Sequence, residues 1–117
     1  MYAGKTGKLP FNTHGNLLVD ISNPSFKGNS ALQLGDFNTH ASKGKVLIFT
    51  NNAVNNWYSQ SLNPADFQYI NLGGLTQFRL RFGKGDNNDY GADFLKIYSG
   101  NAALANQPQL IIEYTVP

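Results

Sequence analysis

The chain has 117 residues, which is long enough for one domain with a single hydrophobic core. Charged residues make up only 14% of it and the net charge is +2, which is too small to indicate a nucleic-acid partner. Cysteine is absent, which excludes disulfides, thiolate nucleophiles and zinc–thiolate sites. The apolar runs are short, so we expect no membrane insertion.

Strand patterns dominate the chain from residue 16 onwards. Residues 1–15 are rich in Gly and Lys, and we expect them to form an extended arm or loop. Residues 31–42 predict one or two helical turns, and Asn63 followed by Pro64 predicts another, because Pro suits the first position of a helix. Strand-like segments lie at 16–22, 45–50, 57–62, 67–72, 76–82, 94–98 and 109–115. We therefore predict a single all-β domain over residues 1–117, an antiparallel β-sandwich that is jelly-roll-like and has one or two short helical turns.

The clearest strand, 76–82, alternates between an apolar and a polar face. Its apolar face has Phe78, Leu80 and Phe82, and its polar face has Gln77, Arg79 and Arg81. This pattern is typical of a half-buried strand with one dry face and one wet face. The two arginines could bind the carboxylates of acidic sugars, or they could pair with acidic neighbours such as Asp20 or Glu113.

A loop rich in Asp and Asn follows this strand. Five oxygen-bearing side chains lie within eight residues, more than a turn requires: Asp86, Asn87, Asn88, Asp89 and Asp93. Such a density of oxygens indicates a hard cation, and calcium is our prediction. The candidate ligands are the side chains of Asp86, Asn88, Asp89 and Asp93, completed by backbone carbonyls. The alternative is a loop whose Asp and Asn side chains satisfy its own backbone amides.

Aromatic side chains provide candidate sugar platforms. Trp57 and Tyr58 point to opposite faces of a predicted strand, so we expect one to be buried and the other to be available to a ligand. We expect Tyr90, in the acidic loop, to be exposed, and Tyr2 and Tyr69 could serve in the same way. The alternative for each of them is packing in the core.

Catalytic groups do not stand out. The two histidines, His14 and His40, have no carboxylate or second histidine at a short metal-binding spacing, and we expect His14 to cap a turn beside Gly15. Glu113 is the only Glu, and no pair of carboxylates indicates a glycosidase. We therefore predict that the chain is not an enzyme.

Several short motifs together resemble the C-terminal part of the DNRLRE, or disaggregatase-related, module family. They lie at 78–82, 86–89, 92–94, 98–101 and 108–111, with further matches at 13–15, 19–21, 36–37 and 56–59. The resemblance implies a carbohydrate-binding-module-like jelly roll from a large secreted or surface-attached prokaryotic protein. Two features depart from the family: Gly85 stands where a first aspartate often opens the acidic loop, and family modules usually begin several strands earlier.

The composition, motifs and resemblance predict a non-catalytic, extracellular or cell-surface module that binds a polysaccharide or cell-surface glycan, or mediates adhesion, with calcium as a stabilising cofactor. The alternative is a structural module that assembles with sister domains or with its own copies, by packing or by strand complementation at an open sheet edge, into a filament. Met1 or its neighbours could instead continue a strand. The glycan hypothesis predicts an exposed aromatic cluster, and the assembly hypothesis predicts an open edge or a large apolar surface.

Overall fold

The computed structural model describes residues 9–117, which form a β-rich fold around a three-stranded antiparallel sheet in the order β2-β1-β3. The regular elements are a helical turn α1 (Pro10–Thr13), the strands β1 (Leu17–Ser22), β2 (Lys43–Phe49) and β3 (Gln77–Phe82), and 3-10 turns at Phe26–Gly28, Leu34–Phe37, Pro64–Tyr69 and Leu104–Asn106. The predicted arm at residues 1–8, the strand from Met1 and the platform Tyr2 lie outside the described residues. The described end of the predicted arm is helical at α1 instead, with Pro10 starting the turn.

The central strand β1 is buried along its whole length. Its apolar face packs into the core through Val19 and Ile21, together with Val46 of β2. Partly buried residues surround this cluster, namely Leu47, Phe49, Leu62, Tyr69, Ile70 and Phe78. The core therefore lies on one face of the sheet, and β1 contributes most of it.

The sequence predicts that the polar face of the sheet, which has Arg79 and Arg81, is exposed to solvent, but it is covered by other parts of the chain. Phe26 packs there with only 2% of its surface exposed, and its ring lies 4.5 Å from the guanidinium carbon of Arg79. The apolar face of β3 is in turn more open than predicted, because Leu80 is 44% exposed. Alternation along β3 thus identifies the two faces correctly and assigns their burial wrongly.

Two predicted strands, 57–62 and 67–72, do not form: a tight turn ends at the start of the first, and a 3-10 turn occupies the start of the second. In 57–62, Trp57 ends a tight turn in which it exchanges two backbone hydrogen bonds of 2.9 Å with Val54, while the intervening Asn55 and Asn56 have positive φ. In 67–72, the helical turn predicted at Asn63 and Pro64 is confirmed, and it continues through Tyr69. The Asn63 side chain accepts a hydrogen bond from the amide of Ala65, which caps this turn.

Two other predicted strands, 94–98 and 109–115, do not form strands in the structure. Residues 109–117, which we call the C-terminal segment, are exposed throughout. An alternating pattern becomes part of a sheet only where it pairs with a neighbouring strand, and within residues 9–117 neither segment pairs with β1, β2 or β3. The helical turn predicted within 31–42 is confirmed at Leu34–Phe37, where Gln33 and Asp36 form a reciprocal cap. Within residues 9–117, no helix is long and apolar enough to cross a membrane.

Candidate functional site

A buried ion cluster joins β1 to β3. The carboxylate of Asp20, 1% exposed, accepts hydrogen bonds from Arg79 Nη2 at 2.6 Å, Arg81 Nε at 2.7 Å and the Lys45 amide at 3.0 Å. Burial opposes the ionisation of Asp20, but these three donors outweigh it and hold the pKa at about 2. Pairing of the two arginines with Asp20 is therefore confirmed, whereas Glu113 lies on the exposed C-terminal segment.

The two arginines differ in how many of their hydrogen-bond donors are already bonded within residues 9–117. Arg79 also donates through Nη1 to the carbonyls of Asp36 at 2.6 Å and Thr39 at 2.7 Å. It therefore links the sheet to the 3-10 turn Leu34–Phe37. Arg81 has a side chain that is 37% exposed, and its Nη1 makes no hydrogen bond within residues 9–117. Recognition of acidic sugars by these arginines stays a prediction, and Arg81 is the one with a donor available for it.

The acidic loop is held by its own side chains. Asp86 accepts a hydrogen bond from the amide of Asn88 at 2.8 Å, and Asp89 accepts one from the amide of Gly91 at 2.8 Å. These are the short-range bonds by which Asp and Asn residues stabilise turns. Within the described part of the chain, no three Asp, Glu, His or Cys side chains converge as a metal site would require. Calcium binding by Asp86, Asn88, Asp89 and Asp93 stays a prediction.

Asp93, at the end of the acidic loop, makes a partly buried contact with His14, the residue that follows α1. Its Oδ2 lies 2.9 Å from His14 Nε2 and accepts a hydrogen bond from Asn87 at 2.9 Å. The other ring nitrogen of His14, Nδ1, lies 2.9 Å from the Lys84 carbonyl. A carbonyl and a carboxylate both accept, so the doubly protonated imidazolium is the form of His14 that donates to both. Short-range spacing could not reveal this pair, because 79 residues separate its members.

The His14 contacts predict that stability falls as the pH rises above about 6.5, the ordinary pKa of histidine. The Lys84 carbonyl, and then Asp93, raise the pKa of His14 above 6.5. A raised folded-state pKa gives stability that is complete below the unfolded value and is lost as the pH rises through the folded value. We expect the urea midpoint to decline over that interval, and NMR titration of the His14 ring to give the higher pKa.

Asp93→Asn is the matched control for this titration. It keeps the shape of the side chain but removes the charge that faces His14 Nε2. We expect the pKa of His14 to fall in this variant and the pH dependence of the midpoint to shrink. An unchanged titration in Asp93→Asn would show that the two side chains do not interact in solution.

The aromatic side chains form a packed cluster. The Tyr58 ring stacks on Phe11 with a centroid distance of 5.5 Å, and it meets the edge of Phe49 at 6.3 Å. Burial raises the pKa of Tyr58. Trp57 and Tyr58 are both half-buried, so the predicted division into one buried and one available ring is wrong. Tyr90 is fully exposed, as predicted.

The outer edge of β3 is open and borders an apolar groove. Within residues 9–117, β3 has β1 as its one neighbouring strand. The groove has a volume of about 170 Å³ and is lined by Phe26, Leu32, Asp36, Phe37, Gln77, Phe78, Arg79 and Leu80. Leu32 and Phe37 are more than half exposed. The edge therefore offers unpaired backbone groups next to apolar side chains.

The C-terminal segment is a second exposed surface, on which no strand of residues 9–117 packs. Its apolar side chains, Leu110, Ile111, Ile112, Tyr114 and Val116, are 55–81% exposed. Apolar side chains scattered singly on a surface are ordinary, but a contiguous run of them marks an interaction surface. The periodicity of the sequence predicts strands at both places, but it does not indicate which strands pair with each other.

The chain matches no protein-family model, no curated protein and no solved structure. The resemblance to the DNRLRE module family stays a prediction from the motifs that carry it.

Proposed function

We propose that the chain is a non-catalytic structural module that assembles through an open sheet edge. The observation that carries this proposal is the exposed C-terminal segment: five of its apolar side chains are more than half exposed, and in the same described part of the chain, residues 9–117, the outer edge of β3 is open. Burying apolar surface is worth roughly 25 cal/mol per Å², so covering such a segment is strongly favourable. An open edge supplies the backbone donors and acceptors that a covering strand needs.

The hypotheses of an open glycan platform and of an enzyme have less support in the geometry. The aromatic cluster of Phe11, Phe49 and Tyr58 packs against itself. The Asp20 carboxylate is buried and paired with two arginines, which is the arrangement of a structural ion pair. An open edge with an apolar groove is what the assembly hypothesis predicts.

We further propose that the sheet is one layer of a jelly-roll-like sandwich in a single extracellular domain. The antiparallel pairing of all three strands and the buried apolar face of β1 support this architecture. The strand patterns at 94–98 and 109–115 supply candidates for further strands. A partner that completes the sheet would then also complete the core.

Assembly predicts that one polar substitution in the C-terminal segment lowers the association state. We expect the unmodified chain to form dimers or larger species as its concentration rises in light scattering, and Ile112→Asn to shift that transition to at least tenfold higher concentration. Ile112 is 55% exposed, so the change costs little in the single chain and removes apolar contact only in the assembly.

Leu104→Asn is the matched control, because Leu104 is 81% exposed but lies outside the C-terminal segment. We expect this variant to associate like the unmodified chain. A chain that stays monomeric at every concentration would contradict the proposed function. Equal effects of the two substitutions would show that association is non-specific.

Tyr90 favours a second function, the binding of a polysaccharide or cell-surface glycan. Its ring is fully exposed, and its backbone has a φ of 53° next to the Asp89–Gly91 turn, so a structured loop presents it to solvent. An aromatic face of this kind packs on the C–H groups of sugars. Arg81, whose Nη1 makes no hydrogen bond in the described part of the chain, supplies a contact for a carboxylate.

A polysaccharide array tests this second function, and we expect binding that is lost in Tyr90→Ala. Tyr114→Ala is the control, because Tyr114 is equally a surface tyrosine but lies on the C-terminal segment. Running the array with calcium and with a chelator tests the cofactor: dependence on calcium in the unmodified chain, lost in Asp86→Asn, would support the acidic loop as its site. A blank array from folded protein would exclude glycan binding.

A further inference from the structure

The outer edge of β3 is the better of the two sheet edges for adding a strand. The edge strand β2 has lysines at its start, and Lys45 has a φ of 58° next to the register shift opposite Val19 and Ile21. Lysines and bulges are the features that protect an edge from further pairing. In β3 the pairing with β1 is regular over all six residues, and its arginines are turned to Asp20.

The C-terminal segment has the alternation that this edge requires. Ile112, Tyr114 and Val116 fall on one face of an extended chain, and Glu113 and Thr115 fall on the other. The edge strand has Phe78, Leu80 and Phe82 on its apolar face and the arginines on its polar face. Apolar side chains therefore continue the apolar face, and the single Glu continues the arginine face.

We infer that the edge of β3 binds the C-terminal segment of a second copy of this chain as an antiparallel strand, with Glu113 opposite Arg81. This inference rests on the proposed function and specifies its partner. Glu113 is the sole Glu in the chain, and the Nη1 donor of Arg81 has no partner among residues 9–117, on a side chain that is 37% exposed. The same register places Tyr114 opposite Leu80, and Ile112 opposite Phe82.

The groove supports this register on the polar face. Thr115 lies opposite Arg79, which lines the groove together with Asp36. The Asp36 oxygen Oδ1 is buried and has no hydrogen-bond partner in the described part of the chain. A buried carboxylate oxygen without a donor is costly, and an added strand with a hydroxyl at this position brings a donor to that side of the groove.

We assign the edge of β3 to a second copy because, within residues 9–117, a chain does not pair its own C-terminal segment with its own β3. Residues 109–117 are exposed at every position, so the segment lies off the sheet of the chain that carries it. Each copy then presents both an edge and a segment. Their pairing can close into a dimer if reciprocal, or continue from copy to copy into a fibre.

Disulfide trapping tests the inference directly, because the chain has no cysteine of its own. Two single variants, Leu80→Cys and Tyr114→Cys, are mixed in a glutathione redox buffer, with one of them isotope-labelled. Residues directly opposite in an antiparallel pair have Cα atoms about 4.5–5.5 Å apart, within the range that a disulfide spans. We expect the mixed disulfide to exceed either homodimer at least fivefold.

Glu113→Cys is the matched control for Tyr114→Cys, because it moves the thiol by one residue to the other face. We expect its mixed disulfide with Leu80→Cys to form several-fold less. Association without the expected disulfide would overturn the inference and leave the proposed function standing, whereas the absence of any association would overturn both. A disulfide that forms only when both cysteines are in one chain would show that the chain covers its own edge.

Glu113→Gln provides a readout that needs no cysteine. It removes the charge opposite Arg81 at an exposed position, so the fold of the single chain should be unaffected. We expect the midpoint of association to move to several-fold higher protein concentration, and the difference to shrink in high salt. An unchanged midpoint would overturn the pairing of Glu113 with Arg81.

Discussion

Replacing Asp20 with Asn is expected to lower the free energy of unfolding by about 3–5 kcal/mol, enough to unfold much of the population of a small domain. The carboxylate is 1% exposed and is the counter-ion for both Arg79 and Arg81. Asn keeps the volume and one acceptor oxygen, but it leaves two guanidinium groups without their counter-ion. Urea unfolding followed by circular dichroism measures the change.

Asp86→Asn is the control, because Asp86 is an exposed carboxylate whose oxygen accepts one loop amide and which Asn can replace. We expect it to change the free energy of unfolding by less than about 0.5 kcal/mol. A loss below about 1 kcal/mol in Asp20→Asn would mean that the arginines are solvated and that the cluster does not hold the sheet together.

The titration of Asp20 gives an independent check on the same cluster. Its folded pKa is about 2 and its ordinary value is 3.8, so the folded state favours the ionised form. A depressed pKa gives stability that is present above the unfolded value and is lost as the pH falls through the folded value. We expect this loss between about pH 4 and pH 2, and its absence in Asp20→Asn.

The second large effect is expected at Phe26, which covers the polar face of the sheet. Phe26→Ala should lower the free energy of unfolding by about 3–5 kcal/mol, because it deletes a buried ring and opens a cavity over Arg79. Phe37→Ala, in the same covering region but 61% exposed, should cost much less. Equal losses of stability in the two variants would show that the Phe26 ring is not buried against the sheet.

Local chemistry in the sequence predicts part of this fold. The alternation of β3 and the apolar run of β1 identify their faces, because side chains in a strand alternate strictly. The helical turn after Asn63 follows from the cap and from Pro64. The sequence also allows pairing of Arg79 and Arg81 with Asp20, as the alternative to binding acidic sugars, because opposite charges on one face of a sheet attract.

Long-range features could not be predicted, because periodicity does not specify partners. Phe26 seats on the sheet through contacts with β3, about fifty residues later in the chain, including a hydrogen bond from its amide to Gln77. His14 meets Asp93 through a fold that no local spacing encodes. The segment at 109–115 has a strand pattern, but whether a strand forms depends on an edge that the pattern does not identify.

Amide hydrogen exchange of β3 at low and high protein concentration tests most directly whether the module assembles through its open edge. We expect the amides of Gln77–Phe82 that point away from β1 to become protected as the concentration rises, together with those of residues 112–116, while the outer amides of β2 stay unchanged. Exchange at the β3 edge that is the same at every concentration, in a chain shown to be folded, would contradict assembly through this edge.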